Sequence, residues 1–186
     1  MERRLKSSGR ISTDTGRGCP RRRSRRGQPT RTLVLGLGNP ILRDDSVGLR
    51  VVRALKAELH GHDDIEVGEE THGGLRLMER LIGYDRAIIV DAIRSGAAPG
   101  TLHSLRPDSM PTQHSASAHD VGLTTALEVG RRAGARLPDD ADIQLVAVEA
   151  QDTLNFGEDL TPEVEAALPA AVQAVLHALS DTRSCP

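Results

Sequence analysis

The sequence predicts an α/β fold, a single three-layer α/β/α domain with a mostly parallel sheet of about five strands. Short apolar runs of strand length alternate with segments whose apolar residues recur at helical spacing. This order is typical of parallel sheets with helices on both faces. The run at residues 87–90 is apolar without interruption, as in strands buried on both faces. With 186 residues, the chain has the length of one domain.

The first half of the chain predicts two strands, each followed by a helix. The apolar run at residues 33–37 predicts the first strand, and the spacing of Val51, Leu55 and Leu59 predicts a helix over residues 47–60. A second strand is expected at residues 65–69. The short helix after it would turn four apolar side chains inward, namely Leu75, Met78, Leu81 and Ile82.

The second half predicts three strands and two helices. The third strand covers residues 87–91 and ends in Asp91, and residues 101–105 form an edge strand. The polar linker at residues 106–117 is expected to be an exposed loop. The remaining elements are a third helix from near His119, a last strand at residues 143–148, and a terminal helix capped by Thr161 and kinked by Pro169.

Charge divides the chain into three parts. Residues 1–31 carry 11 Lys or Arg and 2 Asp or Glu, whereas the rest carries 13 basic and 24 acidic residues. Because residues 1–31 have almost no apolar side chains, they predict a basic disordered leader. Residues 32–180 are then the folded domain, and residues 181–186 are a disordered tail. An acidic domain is not expected to bind nucleic acid specifically.

The sequence also indicates the cellular compartment in which the protein works. No apolar run is long enough to cross a membrane, and no apolar segment of a secretory signal is present. Both cysteines, Cys19 and Cys185, lie outside the predicted domain. The domain therefore has neither a disulfide framework nor a thiol nucleophile, which fits a reducing compartment. We expect a cytoplasmic protein.

The motif GLGNPILRDDSVG at residues 36–48 carries the first candidate site. A dinucleotide-binding loop would place a third glycine where this chain has Ile41. Asp44 and Asp45 also stand where a phosphate would need backbone N–H groups and no negative charge. The two carboxylates favour a cation at the end of the first strand, where open α/β folds place their ligands.

Three side chains are expected to meet at this edge of the sheet. Asp45 follows the first strand, Asp91 ends the third strand, and His119 begins a helix. Two carboxylates and an imidazole suit a divalent transition metal that keeps open positions for a substrate. Either acid alone is better explained as a helix cap or turn former, and His119 alone as a surface residue at the start of a helix. It is the joint placement that indicates a metal site.

Four segments of the chain resemble the hydrogenase maturation proteases, which trim the C-terminal extension of the nickel-iron hydrogenase large subunit. In chain order they are GLGNPILRDDSVG at 36–48, IIVDA at 88–92, SAHDVGL at 117–123 and FGEDLTPEV at 156–164. The similarity covers about residues 32–180. It implies a single α/β/α endopeptidase domain that acts on a hydrogenase large-subunit precursor, with no membrane or specific nucleic acid as partner. We expect a monomer.

The resemblance also implies the roles of three residues. Matched by position, the metal-binding and catalytic residues of the family fall on Asp45, Asp91 and His119. The implied metal is nickel, carried into the site by the substrate, with another divalent metal as an alternative.

The chain departs from the family pattern in two loops. The family often has glutamate and then glycine where this chain has Asp45 and Ser46. The acidic Gly-Gly loop after the second strand is here THGG at 71–74. This puts His72 near the same edge, where we expect an exposed loop histidine.

Two other functions stay open. A non-catalytic metal-binding chaperone for hydrogenase assembly is one, because no nucleophile or base stands out in the sequence. A peptidyl-tRNA hydrolase-like esterase is the other, because its family has a similar GLGNP start. The Thr-Arg-His-Asn segment expected further along that family is absent from this chain.

Overall fold

The structure is a computed structural model that describes residues 30–107 and 122–181. Its strands are β1 (Thr32–Leu37), β2 (Ile65–Glu70), β3 (Arg86–Ile93), β4 (Leu102–Leu105) and β5 (Ile143–Glu149). Its helices are α1 (Val47–Glu58), α2 (Gly74–Arg80), α3 (Leu123–Arg132) and α4 (Pro162–Ser180), with short 3₁₀ turns at Asp44–Ser46 and Asp140–Asp142. His119, most of the predicted linker, and nearly all of the predicted leader and tail lie outside the described residues.

The five strands form one sheet in the order β2-β1-β3-β5-β4. All neighbours are parallel except β4, which pairs antiparallel with β5 at one edge. The predicted edge strand and the mostly parallel five-stranded sheet are therefore confirmed.

Helices cover both faces of the sheet. On one face, α1 and α4 pack on alternate strand residues such as Val34, Ile88 and Val146. On the other face, α2 and α3 pack on the intervening residues, such as Leu35 and Ile89. Because strand side chains alternate between faces, each buried strand supplies both halves of the core. The predicted three-layer α/β/α architecture is confirmed.

Two details differ from the sequence-based expectations. β3 does not end at Asp91, because Ala92 and Ile93 continue to pair with β5. The inward orientation predicted for Leu75 and Ile82 is wrong, since these side chains are 47% and 45% exposed. The inward orientation predicted for Met78 and Leu81 is confirmed, and Leu77, which was not predicted, is buried with them. At ~100° of rotation per residue, the three buried side chains lie about 100° around the helix axis from Leu75 and Ile82.

No helix in the described ranges is both long enough and apolar enough to cross a membrane.

Candidate active site

The path of the chain reverses between β1 and β3, which is where a crevice is expected between their ends. From β1 the chain passes to β2 on one side, and it then returns to β3 on the other side of β1. Loops diverge at such a reversal, and open α/β sheets bind their ligands there. Asp45 lies in the 3₁₀ turn that follows β1, and Asp91 lies two residues before the end of β3. The topology therefore places both acids at this edge.

Two glycines let the turn and α1 approach the strands closely. A Cβ on Gly48 would lie 2.3 Å from the carbonyl oxygens of both Leu37 and Val90. Gly38 has φ of +149°, and a Cβ there would lie 1.9 Å from the carbonyl oxygen of Asp45. The glycines of the motif thus serve backbone packing and conformation. Because these positions have no Cβ, the start of α1 packs directly against the ends of β1 and β3, next to Asp91.

Asp44, the first of the two adjacent acids, anchors the loop. Its side chain is fully buried. Oδ1 accepts a hydrogen bond from the Thr161 N–H at 2.7 Å. Oδ2 accepts three more, from the N–H groups of Gln151 (2.9 Å) and Asp152 (2.8 Å) and the hydroxyl of Thr161 (2.9 Å). With both oxygens occupied, Asp44 is a structural residue, which corrects the expectation that both acids are candidate cation ligands.

Asp45 has a different environment. It is half-buried, and its Oδ2 accepts a hydrogen bond from the Asn39 N–H at 2.9 Å. Within the described part of the chain, Oδ1 receives no hydrogen bond. Burial raises the pKa of this carboxyl above its usual value, and the Asn39 hydrogen bond opposes that rise. Asp45 is thus the acid of the pair with one oxygen that no described residue hydrogen-bonds.

Asp91 is also half-buried, and its Oδ1 accepts a hydrogen bond from the Ala92 N–H at 2.8 Å. It alternates in phase with Ala87 and Ile89, which face α2 and α3. Helix α3 begins at Leu123, four positions after His119 in the sequence, and it packs on the same face of the sheet.

Among residues 30–107 and 122–181, no three His, Cys, Asp or Glu side chains are grouped as a metal site. Because His119 lies outside these ranges, the three-residue site stays a prediction.

Ser46 and His72, two of the departures from the family pattern, make local contacts. The Ser46 side chain is buried, and its hydroxyl donates to the Arg43 carbonyl oxygen at 2.7 Å. The His72 ring is exposed, with Nδ1 3.0 Å from the Thr71 hydroxyl and 3.4 Å from Glu70 Oε1. The expectation of an exposed loop histidine is confirmed.

A buried carboxylate near this edge was missed by sequence reasoning. Glu149 ends β5 and is almost fully buried. Its carboxylate accepts hydrogen bonds from the Ser95 N–H (2.8 Å), the Ser95 hydroxyl (2.6 Å) and the Gly96 N–H (2.9 Å), and it lies 3.2 Å from His103 Nε2. Burial alone would raise the pKa of Glu149, but the hydrogen bonds from Ser95 and Gly96 outweigh it and lower the pKa. The sequence signal for Glu149 was the same as for Asp91, namely an acid directly after an apolar run.

Comparisons with known proteins show which family this chain resembles. A family model described as hydrogenase maturation protease matches residues 49–178. The chain is 36% identical to the hydrogenase 2 maturation protease of Escherichia coli K12, over 82% of this chain and 92% of that protein. The structure of the E. coli hydrogenase maturating endopeptidase HybD is similar, with a TM-score of 0.68 and 34% identity, over 82% of this chain and 94% of that one.

The chain belongs to the hydrogenase maturation protease family.

A second relative lies further away. The hydrogenase expression/formation protein HupD of Rhizobium leguminosarum is 30% identical over 80% of this chain and 74% of that protein. These matches confirm the family and the fold class predicted from the sequence. A hydrogenase maturation protease is an endopeptidase and hence a hydrolase. Membership favours this activity over the peptidyl-tRNA hydrolase-like alternative.

Proposed function

We propose that this protein removes the C-terminal extension of a nickel-loaded hydrogenase large-subunit precursor, and that Asp45, Asp91 and His119 bind the nickel that the precursor carries. The observation that carries the proposal is the difference between the two adjacent acids. Asp44 has both oxygens occupied, whereas Asp45 keeps Oδ1 free of hydrogen bonds from the described residues, at the crevice between β1 and β3.

The donor set suits the task. Carboxylate and imidazole ligands bind divalent first-row metals and leave positions for ligands from the substrate. Asp45 is held by Asn39, so its free oxygen is positioned before the metal arrives. A precursor that lacks nickel would lose this attachment point. The protein would then cleave only precursors in which metal insertion is complete.

The setting we propose is the cytoplasm, with the protein acting as a monomer. The sequence feature that supports the cytoplasm is the position of both cysteines outside the predicted domain.

The test is to incubate the purified full-length protein with nickel-loaded precursor and to follow loss of the terminal peptide by mass spectrometry. We expect cleavage of the loaded precursor and none of the metal-free precursor. Asp45→Asn, Asp91→Asn and His119→Ala should each abolish cleavage while thermal unfolding stays near that of the wild type. Asp63→Asn is the matched control, since Asp63 is an exposed acid away from this edge.

Two outcomes would contradict the proposal. If all three site variants cleave the precursor at a near-normal rate, then Asp45, Asp91 and His119 are not the site residues. Binding of the precursor without cleavage would favour the alternative, a metal-binding chaperone for hydrogenase assembly.

A further inference from the structure

Two loops beside Asp45 are joined as a short antiparallel pair, residues 41–43 and residues 154–157, called the paired turns below. The Gly157 N–H donates to the Ile41 carbonyl oxygen at 3.1 Å, and the Arg43 N–H donates to the Asn155 carbonyl oxygen at 3.2 Å. Between these bonds, Leu42 stands opposite Phe156. Leu42 and Phe156 are therefore a non-hydrogen-bonded antiparallel pair, the type in which opposed side chains lie closest.

The paired turns expose apolar side chains that the fold leaves uncovered. The chain has one Tyr and one Phe. Tyr84 is buried, whereas Phe156 is 78% exposed. Leu154 and Ile41, in the same turns, are 69% and 58% exposed, and the three exceed every other large apolar side chain of the described residues in exposure. Clustered exposed apolar side chains rimmed by polar groups are typical of interaction sites.

Hydrogen bonds tie the paired turns to the loops around them, and their exposed apolar residues, Ile41, Leu154 and Phe156, carry no charge. Asp44 ties both loops together through its hydrogen bonds to Gln151, Asp152 and Thr161. The nearby arginines point back to the same loops, since Arg43 Nε donates to the Asp159 carbonyl oxygen at 3.2 Å and Arg50 donates to that of Glu158. A surface fixed in advance loses little conformational entropy when it binds. Because the exposed side chains of the paired turns are apolar, an apolar ligand fits this surface better than a charged one.

The paired turns are continuous with the candidate active site. Asn39 donates its N–H to Asp45 Oδ2, and its own Oδ1 accepts from the Ile41 N–H at 3.2 Å. Ile41 precedes Asp45 by four residues, so their Cα atoms are at most about 14 Å apart. A polypeptide held at Asp45 can thus reach the paired turns within a few residues.

We propose that the paired turns dock an apolar segment of the polypeptide substrate, within a few residues of the group held at Asp45. This inference rests on the proposed endopeptidase function and adds the chemistry of the substrate segment, which would carry aliphatic or aromatic side chains. Phe156 and Leu154 would then determine the affinity for the precursor without taking part in hydrolysis.

The experiment compares Phe156→Ser and Leu154→Ser with Val129→Ser, whose position on α3 is 47% exposed and outside the paired turns. Initial cleavage rates are measured across a range of nickel-loaded precursor concentrations. We expect Phe156→Ser to raise KM about tenfold, as for a central anchor of an interface, with kcat within about twofold of the wild type. Val129→Ser should change neither constant, and all three variants should unfold at the wild-type temperature.

Binding separates this inference from the proposed function. Fluorescence anisotropy of labelled precursor reports on docking even if no cleavage occurs, in which case only the proposed function fails. Weaker binding by Phe156→Ser than by Val129→Ser supports docking, and equal binding overturns it. An unchanged KM in both serine variants of the paired turns also overturns it. A concentration-dependent dimer that Phe156→Ser dissociates, measured by sedimentation, would assign the surface to a second copy of the chain and overturn the inference.

Discussion

The carboxylate of Asp44 accepts both the N–H and the hydroxyl hydrogen bond of Thr161, a residue 117 positions later in the chain, at 2.7 and 2.9 Å. Thr161 is also the N-cap of α4. One buried side chain thus joins the loop that carries Asp45 to the start of the last helix. The shape of the candidate active site depends on this contact as well as on the glycine motif.

Asp44→Asn should destabilise the fold by about 2–4 kcal/mol, because an amide NH₂ group would face hydrogen-bond donors and leave at least one of them buried and unpaired. Urea denaturation measures the change. Asp45→Asn is the matched control and should cost less than about 1 kcal/mol, since the amide oxygen can still accept from Asn39. Equal costs for the two variants would contradict the structural role given to Asp44.

Gly48→Ala should destabilise the protein by about 3 kcal/mol, as expected for overpacking against a backbone that cannot move aside. The added Cβ would lie 2.3 Å from two carbonyl oxygens, those of Leu37 and Val90. Gly122→Ala serves as control, because φ there is −52° and an added methyl group would meet nothing within 4 Å among the described residues. Thermal unfolding compares the two. A harmless Gly48→Ala would mean that α1 does not sit as closely between β1 and β3 as described.

Glu149 should make stability depend on pH in the acid range. Its pKa in the folded state lies below the usual value near 4.5, since the hydrogen bonds from Ser95 and Gly96 outweigh the effect of burial. The unfolded chain therefore binds a proton more readily, so the stability that ionised Glu149 contributes at neutral pH is lost as the pH falls below 4.5.

Glu149→Gln should therefore lower stability at pH 7 and flatten the decline in unfolding free energy between about pH 5 and pH 3. Denaturant titrations at several pH values measure this slope. Glu79→Gln, at an exposed position, should leave the slope unchanged. A Glu149→Gln variant with the wild-type slope would show that this carboxylate does not titrate in that range.

Deleting residues 1–30 should leave thermal stability and precursor cleavage essentially unchanged. Arg31 is retained, because its guanidinium lies 4.9 Å from the centre of the Tyr84 ring and its N–H donates to Asp85 at 3.0 Å. Most of the positive charge of the predicted leader is removed, so binding to nucleic acid or acidic resin at low salt should fall. A large drop in melting temperature would show instead that the leader stabilises the domain.

The fold could be predicted because each buried strand is an apolar run and each helix but one has several turns to define its apolar face. The exception is α2, whose seven residues left its orientation open, so Leu77 was overlooked in favour of Leu75. The edge that holds Asp45 and Asp91 was predictable from where the strands end. The division of roles between Asp44 and Asp45 was not, since it depends on Gln151, Asp152 and Thr161, which are remote in sequence.

The order in which the chain is synthesised gives the Asp44 contact a further consequence. The glycine motif and both of its acids leave the ribosome early, whereas Thr161 emerges after β5, when most of the domain has been made. Until residues 151–161 have emerged, the carboxylate of Asp44 lacks the four hydrogen bonds that fix its loop. A chain that ends before Thr161 lacks two of these hydrogen bonds, so we expect a shortened product to have an incomplete candidate active site.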